Sequence, residues 1–312
     1  MFVLEKSSYY ITVVLNGICM SANVISTISK ALSRLPLRAN QLLGALIGHI
    51  SWLTHSSQRR ITEANLTICY PGMPLDEVRL LARRSLVETG KQLTESAWIW
   101  HRPTDQTLSK HIEVRGQELL SEAIQAGKGV VMISPHLGNW ELCILLLSQQ
   151  HPFTYFYRSP RQQDMGELLV KWRSHLGGKP ASLDAAGIRQ GLRVLKKGEI
   201  LGFLPDQEPD QDNGIFAPFF NEPALTMTLL SKIASKNDYP ILFCLAERLP
   251  KAKGWRLHIL PGDAKIASRN LLEATTSLNA GVESCIGLCP EQYLWDYKRF
   301  NTLIDGSCRP YR

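Results

Sequence analysis

Hydrophobic and polar residues follow two different periods along this chain, and the period changes shortly before residue 130. Residues 74–100 have the spacing of one long helix, with acidic residues in its first turn and Pro103 soon after its end. Residues 130–134 form a short apolar run of the β type, which an apolar helix at 140–149 and a second strand at 154–158 follow. This order predicts a βαβ unit.

Helices and strands continue to alternate towards the C-terminus. The later predicted elements are helices at 167–175 and 188–197, a strand at 200–204, a helix at 224–237, a strand at 241–246, an edge strand at 255–260 and two C-terminal helices, the second opened by Pro290. Such alternation is typical of the α/β class. We expect a central mixed, mostly parallel sheet flanked by helices.

The N-terminal region is predicted to be a helical segment that associates with a membrane. Residues 7–29 carry no formal charge, and this stretch is long enough to span a bilayer. Its apolar and polar residues follow separate helical stripes, however, as in a helix that lies in the membrane interface. Residues 39–57 are also uncharged and contain the run LLGALIGHISWL. Two ordinary core helices are an equally open interpretation of both segments.

Basic residues set the expected orientation at the membrane. Lys30, Arg34 and Arg38 follow the first uncharged segment, so a spanning helix would leave the main body on the cytoplasmic side. We therefore expect a membrane-associating segment at residues 1–57 and a main domain at residues 58–312, located on the cytoplasmic face of a membrane.

Composition and charge exclude several classes of protein. Hydrophobic residues make up 44% of the chain and charged residues 20%, which excludes disordered and fully membrane-embedded proteins. A net charge of +7 would attract nucleic acid, anionic lipid or an acidic protein. The basic residues are dispersed and lack a recognised motif, so nucleic acid is disfavoured as a partner. The seven cysteines have no metal-site spacing, and we expect reduced thiols, no metal and no cofactor.

The segment SPHLGNWEL carries the candidate chemistry, just beyond the carboxyl end of a predicted buried strand. Gly138 permits a sharp turn, Asn139 is a good N-cap, and Glu141 falls in the first helical turn, within reach of His136. A carboxylate on one imidazole nitrogen would leave the other nitrogen to remove a proton from a hydroxyl. A glutamate that favours the helix dipole and a histidine that only completes a hydrogen bond are the structural alternative.

A direct attack by the acceptor hydroxyl is expected, because no nucleophile elbow is present. The pattern GxSxG is absent, and Cys143 falls inside the following helix. Helix N-terminal amides near residues 139–141, or a nearby basic side chain, would stabilise the developing oxyanion.

Several segments, in order, carry a resemblance to a known family. PHLGNWEL resembles the H-x4-D/E motif of glycerolipid-type acyltransferases, particularly the late acyltransferases of lipid A biosynthesis. Tyr157-Arg158, GEILGFLPDQEPD, GIFAPFFNEPA and PEQYLWDYKRF are similar to later blocks of that family. The resemblance extends from about Asn65 to Phe300. The N-terminal segment is more polar than a typical anchor of such proteins, and the tail after Phe300 lacks their run of basic residues.

The resemblance implies a glycerolipid acyltransferase-like fold and a set of site residues. His136 and Glu141 would be catalytic, and Asn139, Arg158, Asp206 and Gln207 would bind the substrate. An arginine at a strand end suits a bidentate grip on a phosphate, although a surface salt bridge is the alternative for Arg158. Asp206 and Gln207 follow a strand, so they should approach the same edge of the sheet as His136, although an aspartate there often only caps a turn.

The implied reaction moves a fatty acyl chain from an acyl thioester, on acyl carrier protein or CoA, to a hydroxyl of a lipid A precursor. The partners would be that donor, a phosphorylated glycolipid acceptor and a membrane surface. Two alternatives stay open. One is the same chemistry on another lipid, such as a phosphatidylinositol mannoside, a lysophospholipid or an ornithine lipid. The other is a non-catalytic, membrane-associated scaffold that has kept the fold.

Overall fold

The computed structural model describes residues 21–102, 109–158, 163–175 and 177–311. The helices are α1 (Ala22–Ser33), α2 (Leu37–Leu53), α3 (Ser57–Cys69), α4 (Leu75–Trp100), α5 (Gln117–Gln125), α6 (Trp140–Gln150), α7 (Gln163–Ser174), α8 (Ala185–Lys196), α9 (Leu229–Ala234) and α10 (Leu271–Ile286). The strands are β1 (Ile112–Arg115), β2 (Val130–Ile133), β3 (Phe153–Phe156), β4 (Lys179–Ala181), β5 (Ile200–Phe203), β6 (Gly214–Phe219), β7 (Glu222–Met227), β8 (Ile241–Arg248) and β9 (Trp255–Pro261).

Seven of these strands form the central sheet, in the order β1-β9-β8-β2-β5-β3-β4. All neighbouring pairs are parallel except β8 and β9. Helices cover both faces, because the strands are apolar on both sides. Val130 and Met132 of β2 pack into one hydrophobic core, whereas Val131 and Ile133 pack into the other. The predicted α/β class with a mixed, mostly parallel sheet is confirmed.

The predicted helix at residues 224–237 is wrong in its first part. Residues up to Met227 form β7, which pairs with β6 in an antiparallel hairpin. Phe220 and Asn221 at its tip have φ values of 50° and 67°, as a tight hairpin turn requires. Only α9 after the hairpin is helical. Three consecutive residues of β7, Ala224 to Thr226, are buried, so this strand lacks the alternating pattern that would distinguish it from a helix.

Two further predictions fail at the C-terminal end of the chain. The predicted edge strand at 255–260 is the interior strand β9, because β1, which the sequence reading missed, pairs outside it. Pro290 opens only a short 3-10 turn, Pro290–Gln292, and no second C-terminal helix follows among the described residues. The backbone beyond the turn bonds to other segments instead, since the N–H of Leu294 donates to the carbonyl of His136 (3.0 Å).

Helices α1 and α2 pack against the long helix α4. Two glycines make the α2–α4 contact close: a Cβ atom added to Gly90 would lie 2.2 Å from the carbonyl oxygen of Gly44. Within the described part of the chain, no helix has both the length and the hydrophobicity needed to cross a membrane. Residues 7–20 of the first uncharged segment lie outside the described residues, and the division of the chain at residue 57 stays a prediction.

Candidate active site

The turn after β2 carries His136 and is bonded to two other segments. Gly138 has a φ of 63°, and a Cβ atom at this position would lie 2.0 Å from the carbonyl oxygen of Ala246, so only glycine fits there. The Gly138 N–H donates to the carbonyl of Gln292 (3.0 Å), and the Asn139 N–H donates to that of Ala246 (2.9 Å). The turn is thereby joined to β8 and to the PEQYLW segment.

His136 forms its hydrogen bonds with Asp206, which follows β5. Its Nδ1 lies 2.8 Å from Asp206 Oδ1, and its backbone N–H donates to Asp206 Oδ2 (2.9 Å). Burial alone would raise the pKa of Asp206, but the charge of His136 and these hydrogen bonds outweigh burial and hold that pKa below its usual value. With Nδ1–H donated to the carboxylate, Nε2 carries the lone pair that a general base needs.

Glu141 is bonded to Arg173 of α7 rather than to His136. Arg173 donates from Nε to Glu141 Oε2 (2.8 Å) and from Nη2 to Oε1 (2.5 Å), and Trp100 Nε1 donates to Oε2 (3.1 Å). Burial raises the pKa of Glu141, yet the arginine charge and these hydrogen bonds lower it further than burial raises it, with a smaller contribution from His136. Glu141 therefore lies near enough to sense the charge of His136, while its oxygens are bonded to other groups.

Asn139 occupies the N-cap position of α6, but its side chain does not cap the helix. Its Nδ2 donates to Glu95 of α4 (3.2 Å), whose carboxylate also receives the two nitrogens Nε and Nη2 of Arg248, each at 2.6 Å. Both members of this ion pair are buried. Asn139 is itself buried and lies outside the wall of the main cavity. In this arrangement its bonds join α6 to α4 and β8, and its contact with the substrate stays a prediction.

A cavity of about 950 Å³ opens beside His136. Apolar side chains from several helices and from β5 form much of its wall, including those of Leu32, Ile47, Leu93, Ile144, Leu169 and Phe203. Its size falls within the range of about 300–1,000 Å³ that is usual for small-molecule sites. His136, Trp140 and Glu141 lie in the same wall, so the polar chemistry and the apolar space form one site.

Arg158 and Gln207 also line this cavity. The Arg158 guanidinium is paired with the carboxylate of Asp210, which lies in the same loop as Gln207, and both members of that pair are partly exposed. The arginine expected to hold a phosphate therefore has a carboxylate partner in this structure.

The structure brings His136, Glu141, Arg158, Asp206 and Gln207 to the carboxyl edge of the parallel strands. Their proposed roles stay predictions. Sequence reasoning missed the bond between Glu141 and its arginine, because Arg173 lies on a helix beyond the next strand and no motif marks it. It also assigned the carboxylate partner of the histidine to Glu141 rather than to Asp206, since spacing along the chain favoured the nearer carboxylate.

No group of three or more His, Cys, Asp and Glu side chains arranged to bind a metal occurs in the described ranges. Cys143, the thiol nearest to the motif in sequence, is buried in α6 and does not line the cavity.

The fold and the site together define an α/β protein in which a histidine–carboxylate pair at the sheet edge borders an apolar cavity. The family model described as bacterial lipid A biosynthesis acyltransferase matches residues 20–302. The chain is 27% identical to the lipid A biosynthesis lauroyltransferase of Escherichia coli, over 88% of this chain and 89% of that protein. It is 27% identical to the palmitoleoyltransferase of that organism, over 89% and 90% of the two chains. With the E. coli myristoyltransferase the identity is 22%, over 86% and 83%.

These similarities define an acyltransferase. The chain belongs to the bacterial lipid A biosynthesis acyltransferase family.

Proposed function

We propose that this protein transfers a fatty acyl chain from an acyl thioester to a hydroxyl of a phosphorylated glucosamine lipid, a precursor of lipid A. The observation that carries this proposal is His136, which lies in the wall of a large apolar cavity and is bonded to Asp206 behind it, in a chain of this family. The donor is the thioester of acyl carrier protein or of CoA.

His136 acts as the general base. Its Nε2 removes the proton of the acceptor hydroxyl, whose oxygen attacks the thioester carbonyl to give a tetrahedral intermediate. The C–S bond then breaks, and the departing thiolate takes the proton from the imidazolium. Asp206 fixes the ring through Nδ1 and stabilises the imidazolium, which is the role that spacing along the chain had suggested for Glu141.

Glu141 supplies a second negative charge near the imidazolium. Arg173 fixes that carboxylate through two hydrogen bonds, so the Glu141 oxygens are held in one position. The N–H of Asn139 already donates to Ala246. The oxyanion must therefore accept hydrogen bonds from other groups, such as the next backbone amides at the start of α6.

The apolar wall of the cavity suits the acyl chain of the donor, which would otherwise be exposed to water during transfer. Arg158, at the edge of the cavity, suits a phosphate of the acceptor, provided that this phosphate displaces Asp210. The net charge of +7 favours an acidic carrier protein and anionic lipid as partners.

Helices α1 and α2 would contact the membrane, from which the lipid acceptor enters the site. Leu42, Leu46 and Leu53 form an exposed apolar face on α2, with Leu53 73% exposed, and the neighbouring residues Leu43 and Ile47 of the same helix line the cavity. Exposed apolar patches of this kind mark interaction sites, and Lys30, Arg34 and Arg38 nearby in sequence suit anionic head groups. We propose that this face rests on the cytoplasmic surface of the inner membrane.

The lipids of a strain that lacks this protein test the proposal. Mass spectrometry should find lipid A that lacks one secondary acyl chain, and a plasmid copy of the wild-type gene should restore it. Unchanged lipid A with the loss of an acyl group from another lipid would transfer the proposal to that acceptor. An unaltered lipid profile, together with no transferase activity of the purified protein, would favour a non-catalytic scaffold.

A further inference from the structure

One buried carboxylate in the cavity wall has no role in the mechanism above. Asp296, within the PEQYLWDYKRF segment, is 4% exposed and lines the cavity. Its Oδ1 is buried and has no hydrogen-bond partner among the described residues. By contrast, both oxygens of the nearby buried Glu208 accept bonds from Thr302, each at 2.9 Å. Asp296 therefore differs from an ordinary structural carboxylate.

The backbone on both sides of Asp296 is held in place. The side chain of Asn65 donates to the carbonyls of Trp295 (2.7 Å) and Tyr297 (2.6 Å), the two residues that flank it. Two residues earlier, the N–H of Leu294 donates to the carbonyl of His136. The segment that carries Asp296 is thus fixed to the same turn as the proposed base, and its carboxylate has little freedom to find a partner elsewhere.

Leaving a buried carboxylate oxygen without a hydrogen bond destabilises the fold. Burial also raises the pKa of Asp296 to about 6, and the residue's own backbone N–H offsets only part of that rise. Among the described residues, Asp296 is the one carboxylate with a buried oxygen that lacks a bond, and its position in the cavity wall lets a ligand complete that bond.

We propose that Asp296 binds the acceptor by accepting a hydrogen bond from a hydroxyl or amide N–H of its sugar headgroup. This inference rests on the proposed function. The donor's acyl chain requires apolar wall, whereas the acceptor must bring its reactive hydroxyl to His136, the residue to which the Asp296 segment is bonded. A glucosamine lipid carries several neutral N–H and O–H donors near that hydroxyl. Asp296 would position this headgroup while His136 removes the proton.

Steady-state kinetics of the full-length protein test this inference. The donor is lauroyl-acyl carrier protein and the acceptor a purified bacterial lipid A precursor, with each concentration varied separately. Asp296→Asn keeps the size of the side chain but replaces a charge-assisted hydrogen bond by a weaker neutral one. We expect the KM for the acceptor to rise about tenfold and the KM for the donor to stay within about twofold, since tenfold corresponds to the loss of one good hydrogen bond. Asp238→Asn, an exposed aspartate before β8 at the opposite edge of the sheet, is the matched control and should change neither KM.

Protein stability separates substrate binding from a structural role. Asp296→Asn should unfold at an equal or higher temperature than the wild type, because it removes a buried charge, whereas loss of a structural bond would lower that temperature. If Asp296→Asn fails to fold, Asp296→Ser gives the same kinetic comparison. An unchanged acceptor KM, or a raised donor KM, in a folded variant would overturn the inference while the proposed function stands. If the wild-type protein transfers no acyl group to the precursor, the proposed function fails and this inference fails with it.

Discussion

His136 is held at two points by one carboxylate, and this geometry divides the work between the two acidic residues of the site. Asp206 bonds both the ring and the backbone N–H of the histidine, so it controls where the ring points. Glu141 acts on the same ring only through its charge, because Arg173 and Trp100 bond its oxygens. The two carboxylates should therefore differ in the effect of their removal.

Replacement of Asp206 by asparagine tests this division. Asp206→Asn should lower kcat by about 10²- to 10⁴-fold, because the amide neither fixes the Nδ1–H tautomer nor stabilises the imidazolium. Glu141→Gln should cost less in kcat, but it should lower the unfolding temperature, since the buried Arg173 loses its anionic partner. Asp238→Asn serves as the control for both. An Asp206→Asn variant with near wild-type kcat would show that the histidine does not depend on this carboxylate.

The raised pKa of Asp296 predicts that the stability of the folded protein depends on pH. Its pKa is about 6 in the folded protein against an ordinary value of 3.8, so the folded state binds more protons between these values. The ionised side chain therefore destabilises the fold increasingly as pH rises through this window, by up to about 3 kcal/mol.

Denaturant unfolding of Asp296→Asn and of the wild type at pH 5 and pH 8 measures this effect. The gain in free energy of unfolding from the substitution should be larger at pH 8 by roughly 1 kcal/mol. An equal gain at the two pH values would contradict the raised pKa.

The sequence identifies some site residues and hides others for physical reasons. His136 and Gly138 could be predicted because a strand, a glycine turn and a helix start follow each other within a few positions. Arg173 and Glu95 could not, because each meets its partner on another element of the fold, and no local spacing along the chain encodes such a contact. Asp296 carries no sequence signal at all, since its significance lies in a missing hydrogen bond.

At the scale of elements, four of the parallel strands, β2, β3, β5 and β8, were predicted because each is an apolar run. The parallel strand β4 was missed, because it has only three residues and only Ala181 among them is buried. The hairpin of β6 and β7 was missed, because the apolar residues of β7 lead directly into α9 and the combined stretch resembles one helix. The short strand β1 has exposed residues along most of its length, so its sequence lacks the apolar pattern that marks a buried strand.

The close contact between α2 and α4 predicts that one methyl group added at Gly90 destabilises the protein. Gly90→Ala would place a Cβ atom against the Gly44 carbonyl, so the two helices would have to separate. We expect the variant to lose about 1–3 kcal/mol of stability, the usual cost of overpacking, despite the higher helix propensity of alanine. Thermal unfolding measures the change. Gly72→Ala is the control, because nothing lies within 4 Å of a Cβ atom there, and equal unfolding temperatures of the two variants would contradict the close contact.

The exposed apolar face of α2 lies beside the cavity, and we propose that the whole molecule contacts the membrane through this face. A double variant, Leu46→Glu with Leu53→Glu, should bind anionic phospholipid vesicles at least tenfold more weakly in sedimentation, because burying each leucine contributes about 1.5–3 kcal/mol. Neither side chain lines the cavity. Leu272→Glu removes a leucine of similar exposure from α10, where 53% of it is exposed, and should bind as the wild type does. Equal binding of the double variant and this control would contradict the membrane contact.

Transfer of one acyl group by the purified protein is the sharpest test of His136 as the general base. Wild-type protein and His136→Ala are incubated with lauroyl-acyl carrier protein and a lipid A precursor, and the product is followed by mass spectrometry. The wild type should add one lauroyl group, and the variant, with an unchanged circular dichroism spectrum, should be slower by about 10²- to 10⁴-fold, because the general base is lost. A folded His136→Ala variant that transfers the acyl group at the wild-type rate would contradict the mechanism.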